Sequence, residues 1–486
     1  MKSRLIDQVA TGVAWNTAEK VGSMLLQVAV SIIVARLLTP EDFGVMAILT
    51  FFTAVSLVVV DSGFSQTLLR KEQPSDDDYK TVFLFNIAAA AALYLLLVAL
   101  SPFLARYYNL QVINNIAPAL LLLLPLQALC IIQNTRLARE FRFGLLSRIN
   151  FVASLIAGIA AIAVALCGGG VWALVAQRLA TVGVRALLLW WHGDWRGEGK
   201  FSRRSMGEMA PFSLRLMSTD IVAAIYNNVA QLFIGKMHSA DALGYFNQAQ
   251  KIKELPVQSA VQSVQTVTYP ALAKIKGDAE KFAESYRKVL LVTLFVMMPA
   301  MLGMAAMADD MFRVLLGEKW MPTVPYFKVI ILCGIFYPIA MLAYNVLKVH
   351  SNGSIILRLE LLKRGLATVI LAVTIPHSIM AVAYGLVTIS AIEAAINLGF
   401  SLRYTQLSVW HIARSLVSTA LLSIVMWIGV EALEEALQMV GAAPRLVVSA
   451  LAGVVIYLGG AAALRLEAFS EILSIARRMV RPSSSK

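Results

Sequence analysis

The sequence predicts an all-α fold: a polytopic membrane protein of about fourteen transmembrane helices, each near the roughly 20 residues needed to cross the hydrocarbon layer. Three observations carry this. Of 486 residues, 59% are hydrophobic and 15% charged, whereas soluble domains average about 45–50% apolar and about 25% charged. Mean hydropathy is +0.72. Long apolar windows recur along the whole chain, and lipid admits such windows only as helices, because it cannot satisfy loose backbone groups.

The expected spans lie near 11–36, 44–64, 80–104, 115–135, 148–168, 171–191, 207–235, 244–270, 287–308, 323–347, 354–375, 378–401, 413–434 and 445–465. The opening "MKSRLIDQVATGVAW" lacks a small-residue cleavage site after a short apolar core, so it reads as a retained first helix. Between spans one and two stands "VARLLTPEDFGVMA" (Val34–Ala47), and a blurred copy, "IGKMHSADALGYFNQA" (Ile234–Ala249), stands between spans seven and eight. Aligned on the glycine, Arg36 falls on Lys236, Thr39 on Ser239 and Gly44 on Gly244. The copies run through the bilayer in the same direction, as parallel repeats do in transporters whose halves rock about a central site.

The expected organisation is two pseudo-symmetric lobes of about six helices each plus two further helices. The N-terminal lobe covers 1–206 and the C-terminal lobe 207–403; 404–486 holds the last two helices and a basic tail. Lys and Arg gather in the loops on the side of the N-terminus, for example "RLAREFRFGLLSR" (Arg136–Arg148). Basic loops mark the cytoplasmic face, so both termini are expected there. This asymmetry also accounts for the net charge of +13 without nucleic acid, with contact to anionic membrane lipids as a by-product.

Five stretches in fixed order, "VARLLTPEDFG", "DSGFSQTLLRKE" (Asp61–Glu72), "AREFRFG" (Ala138–Gly144), "YPALAKIKGDAEK" (Tyr269–Lys281) and "LLGEKW" (Leu315–Trp320), give the chain a family likeness. It resembles the polysaccharide transporter family of the multidrug/oligosaccharidyl-lipid/polysaccharide exporter superfamily, colanic-acid and O-antigen repeat-unit flippases in particular. The resemblance implies a flippase of the bacterial inner (cytoplasmic) membrane. It would move undecaprenyl-diphosphate-linked repeat units from the cytoplasmic to the periplasmic leaflet by alternating access, for surface polysaccharide synthesis. A polysaccharide polymerase and other assembly proteins are the expected companions.

The informative residues are those that lipid rejects. A charge at mid-bilayer costs at least about 2.5–3.5 kcal/mol, so it faces a cavity or a partner. The first lobe carries Glu19, Lys20, Asp61, Arg178 and Arg185; the second carries Arg215, Asp220, Lys251, Lys253, Glu254 and Glu393. Asp220, Asn227 and Gln231 recur at helical spacing, as do Gln248, Lys251 and Glu254, so each set shares one face of its helix. Lys20, Arg178, Arg185, Arg215, Lys251, Asn227, Gln231 and Gln248 are the candidate cargo contacts, because Arg forks and Lys charges suit phosphate oxygens. Asp61, Asp220 and Glu393 are the candidate ion-coupling acids. Blander readings stand beside these: Lys20 snorkelling next to Glu19, Asp61 and Gly63 as helix-end chemistry, and Arg36 and Lys236 as interface anchors. Lys251 and Lys253 cannot both face one direction.

No catalytic residues, metal or cofactor are expected, beyond coupling to an H+ or Na+ gradient. "PSDDDYK" (Pro74–Lys80) resembles an acidic metal–nucleotide motif, but acids just before a span serve its helix N-terminus. The histidines (His192, His238, His350, His377, His411) are too scattered for a metal site, and Cys130, Cys167 and Cys333 suggest neither disulfide nor zinc. "CGGGVW" (Cys167–Trp172) is a tight turn with no preceding strand, hence no phosphate loop. The rival reading is a cation-coupled multidrug exporter of the same superfamily, which would need a cavity of acids and aromatics.

Overall fold

The computed structural model describes residues 22–275, 277–351, 353–405 and 409–480. Glu19 and Lys20 lie outside them. The described residues are helical, with no strand. Helices follow as α1 (Gly22–Leu37), α2 (Pro40–Asp61), α3 (Phe64–Arg70), α4 (Asp76–Tyr108), α5 (Val112–Leu121), α6 (Leu123–Arg139), α7 (Phe143–Leu166), α8 (Trp172–His192), α9 (Arg203–Met237) and α10 (Ala240–Lys274). Then come α11 (Ala279–Ala306), α12 (Ala308–Leu315), a 3-10 turn, α13 (Val324–Ile330), α14 (Cys333–His350), α15 (Gly353–Thr374), α16 (Ile379–Thr405), α17 (Val409–Ala436), α18 (Ala442–Ala463) and α19 (Glu467–Val480).

Ten stretches are long and apolar enough to cross a membrane, some built from two of these helices, such as Pro40–Arg70 and Val112–Arg139. This is a multi-span membrane protein. Four further helices, α1, α9, α10 and α15, occupy the other positions where spans are expected. α1 is described over only a short length, and the other three carry several charges each. Those charges dilute the apolar signal and are the same side chains that suggest a wet interior.

Local chemistry sets the helix starts. Thr39 caps α2 with a reciprocal box to Asp42, and Pro40 occupies its first turn. Ser239 repeats the cap on α10, accepting from the Ala242 amide at 3.1 Å. The turn before each cap closes identically, Leu38 N to Val34 O and His238 N to Ile234 O, both at 2.9 Å. Ser75 caps α4 with Asp78 as the returning partner, and Asp76 and Asp77 stand in its first turn. The acidic run therefore caps a helix, as acids at a positive dipole end do. Gly168 and Gly170 adopt positive φ in the turn between α7 and α8.

The two hinge copies also touch each other. A Cβ on Gly44 would overlap the Ala240 carbonyl oxygen, and one on Gly244 would overlap that of Pro40. The contact is reciprocal, each glycine receiving the first residue of the other helix. Only glycine permits such close backbone approach. This gives the duplicated motif a physical purpose: it caps two helices and packs their starts against one another.

The chain divides into two compact units, Met1–Gly244 and Tyr245–Lys486. In unit 1, α9 packs along α2, α3 and α4, so packing and sequence duplication draw different boundaries. The link from α8 to α9 is strapped to the start of α4. Trp195 is buried against Phe83 and Trp190, Gln133 donates to its carbonyl at 2.7 Å, and the Ser202 amide donates to Thr81 at 2.8 Å. Arg139 gathers the end of α3, donating to the Leu68 and Lys71 carbonyls at 2.6 Å and to that of Glu72 at 3.0 Å. In unit 2, Leu291, Phe295, Met426 and Tyr457 form a core, and the Tyr457 hydroxyl donates to the Phe295 carbonyl at 2.8 Å. α19 docks beside it through Arg287, whose guanidinium 2.7 Å from Glu467 holds that carboxyl below its ordinary range.

Candidate functional site

Unit 1 contains a cavity of about 490 Å3 lined by Asp61, Ser65, Gln127, Asn134, Arg185 and Asp220, with apolar Leu57, Val58 and Ile131. Its position follows from a break in the second span. α2 ends at Asp61, Ser62 and Gly63 both take left-handed backbone, and α3 restarts at Phe64. A broken helix frees polar groups beside a cavity, a construction common in transporters. Asp61 stands at that break and accepts from the Ser65 hydroxyl at 2.8 Å. α3 is held against α9 by the Thr67–Ser213 hydroxyl contact at 2.6 Å, which places Asp220, further along α9, in the same cavity.

Arg185 reaches in from α8, donating to the Asn134 amide oxygen at 3.2 Å. Its Nε, and Oδ1 of Asp61, are buried with no hydrogen-bond partner among the described residues. Both stand beside the cavity, where water or a bound polar group can satisfy them. One can donate to an anion; the other can receive a proton or a cation. Asp220 lines the same cavity as Asp61.

The structure thus brings three expected residues together: Asp61, Arg185 and Asp220. The others lie elsewhere. Arg178 is exposed on α8, two turns before Arg185, and Arg215 and Asn227 are exposed on α9. Gln231 is half-buried with an unpartnered Oε1. In unit 2, Gln248 is buried with an unpartnered Oε1 and Lys251 is exposed. Glu393 stands near Lys363, Arg364 and Glu360 of α15, three charges absent from the expected set. Their spacing was the available signal, since an acid three and four residues before two bases is a helix ion-pair pattern. Gln127 and Asn134 of α6, one face apart by seven residues, were also missed. The cysteines are free, and no group of three His, Cys, Asp or Glu among the described residues is placed to hold a metal.

Residues 33–325 match the profile of the family described as "Polysaccharide biosynthesis protein". The chain belongs to that family. Among curated relatives, this chain is 24% identical over 353 residues to the teichuronic acid biosynthesis protein TuaB of Bacillus subtilis, covering 72% of this chain and 71% of that one. It is 25% identical over 390 residues to the succinoglycan biosynthesis transport protein ExoT of Rhizobium meliloti, covering 80% and 76%. Its fold is that of the lipid II flippase MurJ in an inward closed conformation, with a TM-score of 0.67 and 16% identity over 96% of this chain and 99% of MurJ. An inward-facing multidrug resistance MATE transporter superposes with a TM-score of 0.61 and 14% identity, over 79% and 94%. The fold is therefore shared by lipid flippases and drug exporters, and it does not choose between them.

Proposed function

We propose that this chain exports a lipid-diphosphate-linked oligosaccharide from the cytoplasmic to the periplasmic leaflet of the bacterial inner membrane, by alternating access between two lobes of six helices. The observation that carries this is the family match across residues 33–325, supported by relatives named for polysaccharide synthesis and transport. Undecaprenyl diphosphate is the carrier the reading implies. The lipid tail would stay in the acyl region while headgroup and sugars enter the wet interior.

In this reading Arg185 meets the diphosphate in the unit 1 cavity. Its guanidinium offers a planar fork that phosphate oxygens match in pairs. Asp61 and Asp220 next to it disfavour an anion while both are ionised, and cease to when they bind a proton. Cargo binding and ion uptake are then linked by electrostatics, because each changes the charge that the other feels. The same acids would suit an organic cation, as a drug exporter requires; polysaccharide family membership favours the anionic cargo.

The test is complementation of a flippase-null strain, normalised to the amount of protein in the membrane. Arg185→Ala should abolish surface polysaccharide at normal protein level, and Arg185→Lys should restore part of it. Arg215→Ala is the companion variant. Full complementation by Arg185→Ala, with loss in Arg215→Ala, would move the diphosphate out of the cavity to the exposed face of α9.

A further inference from the structure

A second hollow in unit 1, a groove of about 350 Å3, is lined by Phe83 of α4, Leu126 and Leu129 of α6, and Gly183, Ala186 and Trp190 of α8. The polar atom among these side chains is already spent, since the Trp190 indole N–H donates to the Leu129 carbonyl at 3.0 Å. The groove therefore offers an occupant nothing but apolar surface. A Cβ on Gly183 would meet nothing nearer than the Leu126 side chain at 4.0 Å. Packing among the described residues thus does not require glycine there, although glycine weakens a helix interior; the missing side chain is what opens the groove. From Gly183 to Trp190 the groove follows two turns of α8, about 10 Å, in a helix long and apolar enough to cross a membrane. Hydrocarbon is what fills such a space.

One end of the groove is positively charged. Lys80 stands 6.0 Å from the Phe83 ring and donates to the Gly197 carbonyl at 2.8 Å. The Arg196 guanidinium donates to the Trp190 carbonyl. Neither cation makes an ion pair among the described residues, whereas Lys71, Arg136 and Arg142, at the same end of unit 1, are matched to Asp78, Asp76 and Asp194. Glu198 is in the same loop as Arg196, with its carboxylate accepting from the Arg196 backbone amide at 2.8 Å. Carbonyl partners hold Lys80 and Arg196 in place and leave their charge for an anion. Trp191, next along α8, is 81% exposed, as an aromatic residue at the membrane–water interface is. An apolar groove at membrane depth that ends in cations at the interface has the shape and charge of a phospholipid site, since basic pockets between membrane helices take anionic headgroups.

The polar cavity and the groove share a wall. α6 and α8 present Asn134 and Arg185 to the cavity and Leu129 and Trp190 to the groove. The wall is tied by the indole bond and by Cys130 Sγ, 3.8 Å from the Val182 carbonyl. A lipid whose diphosphate sits on Arg185 would have to part these helices, or wrap around them, to lay its tail here, so the groove suits a lipid of its own. We infer that it binds a membrane phospholipid with an anionic headgroup, one acyl chain lying over Gly183 and the phosphate at Lys80 and Arg196. Bound there, the lipid braces the α6–α8 wall from outside. The inference does not depend on the identity of the cargo.

The experiment titrates the full-length protein in dodecyl maltoside micelles with radioactive phosphatidylglycerol and, separately, phosphatidylcholine. The wild type should hold one phosphatidylglycerol per chain saturably, and phosphatidylcholine about tenfold or more weakly, because its choline cation opposes Lys80 and Arg196. Gly183→Leu, which fills the groove, should lose the saturable site. Phosphatidylglycerol should raise the unfolding temperature of the wild type and leave that of Gly183→Leu unchanged. The Lys80→Gln/Arg196→Gln variant should bind the two lipids alike, and it keeps the test decisive if Gly183→Leu does not fold. Undecaprenyl diphosphate at equal concentration should leave the phosphatidylglycerol bound. A wild type without a saturable site would overturn the inference, as would a folded Gly183→Leu protein that binds as the wild type does, or a charge variant that still prefers phosphatidylglycerol. Displacement by undecaprenyl diphosphate would overturn it too, and would make the groove the seat of a polyprenyl tail. No lipid-linked sugar enters these assays, so their failure leaves the cargo assignment standing.

Discussion

Gly44→Ala and Gly244→Ala should each cut export about tenfold or more while leaving the protein in the membrane, since about 1.4 kcal/mol shifts an equilibrium tenfold and overpacking a tight contact costs about 1–3 kcal/mol. In each case the new Cβ would overlap a backbone carbonyl, Ala240 for Gly44 and Pro40 for Gly244. A carbonyl at a helix start cannot rotate aside as a side chain could, so the helices must part. The helices themselves should survive, because Thr39 and Ser239 still cap them. The reciprocity supplies a sharper check. Once one alanine has separated α2 from α10, the second has less left to break, so the double variant should cost less than the sum of the singles. The measurement is complementation per unit of membrane protein for the four members of the cycle. Full activity in both single variants would show that the close contact is no part of the transport cycle.

The second large effect concerns folding in unit 2. Arg445, at the start of α18, pairs through two nitrogens with Asp310 of α12. Asp310 is 1% exposed and Arg445 12%. Removing one member of a buried pair leaves the other charge stranded, at about 3–5 kcal/mol. Arg445→Ala should therefore sharply lower both the yield of folded protein and its unfolding temperature. Arg313, 3.6 Å from Asp310, is too far to replace the lost fork, and the nearby Glu434 carboxylate makes the stranded acid worse off. The double variant Asp310→Asn/Arg445→Met should recover much of the loss, because neither partner then buries a charge. Unfolding temperatures in one detergent provide the comparison; an unchanged value for Arg445→Ala would mean that the pair contributes nothing to the fold.

Much of the fold was legible because each element carries its own signal. The apolar windows mark the helices, and Thr39, Ser75 and Ser239 announce their starts by residue type alone. The likeness of Arg36 to Lys236 and of Gly44 to Gly244 is legible in the sequence, and the structure adds what alignment lacks, namely that the two glycines face each other's helix. The packing of α9 with unit 1 was not legible. A likeness between two short stretches says nothing of which apolar faces meet, and the Trp195 strap that commits α9 to α4 lies in a loop with no periodicity to read.

The site was half legible for the same reason. Charges such as Asp61, Arg185 and Asp220 stand out wherever lipid is expected, but their convergence on one cavity depends on the break at Ser62 and Gly63. Lys363 escaped notice because a run of charges in a stretch still apolar enough to read as a span looks like helix-end anchoring until its burial is seen. Gln127 and Asn134 are uncharged, so nothing in their type separates a cavity wall from a helix contact.

The central claim, transfer of a lipid-linked oligosaccharide across the membrane, is tested most directly by locating that intermediate. Cells depleted of this chain and lacking any related flippase should accumulate lipid-linked repeat units, and those units should stay inaccessible to a sugar-cleaving enzyme added outside spheroplasts. Restoring the protein should make them accessible and restore surface polysaccharide. Repeat units that reach the outer leaflet at the normal rate without it, with surface polysaccharide unchanged, would contradict the account.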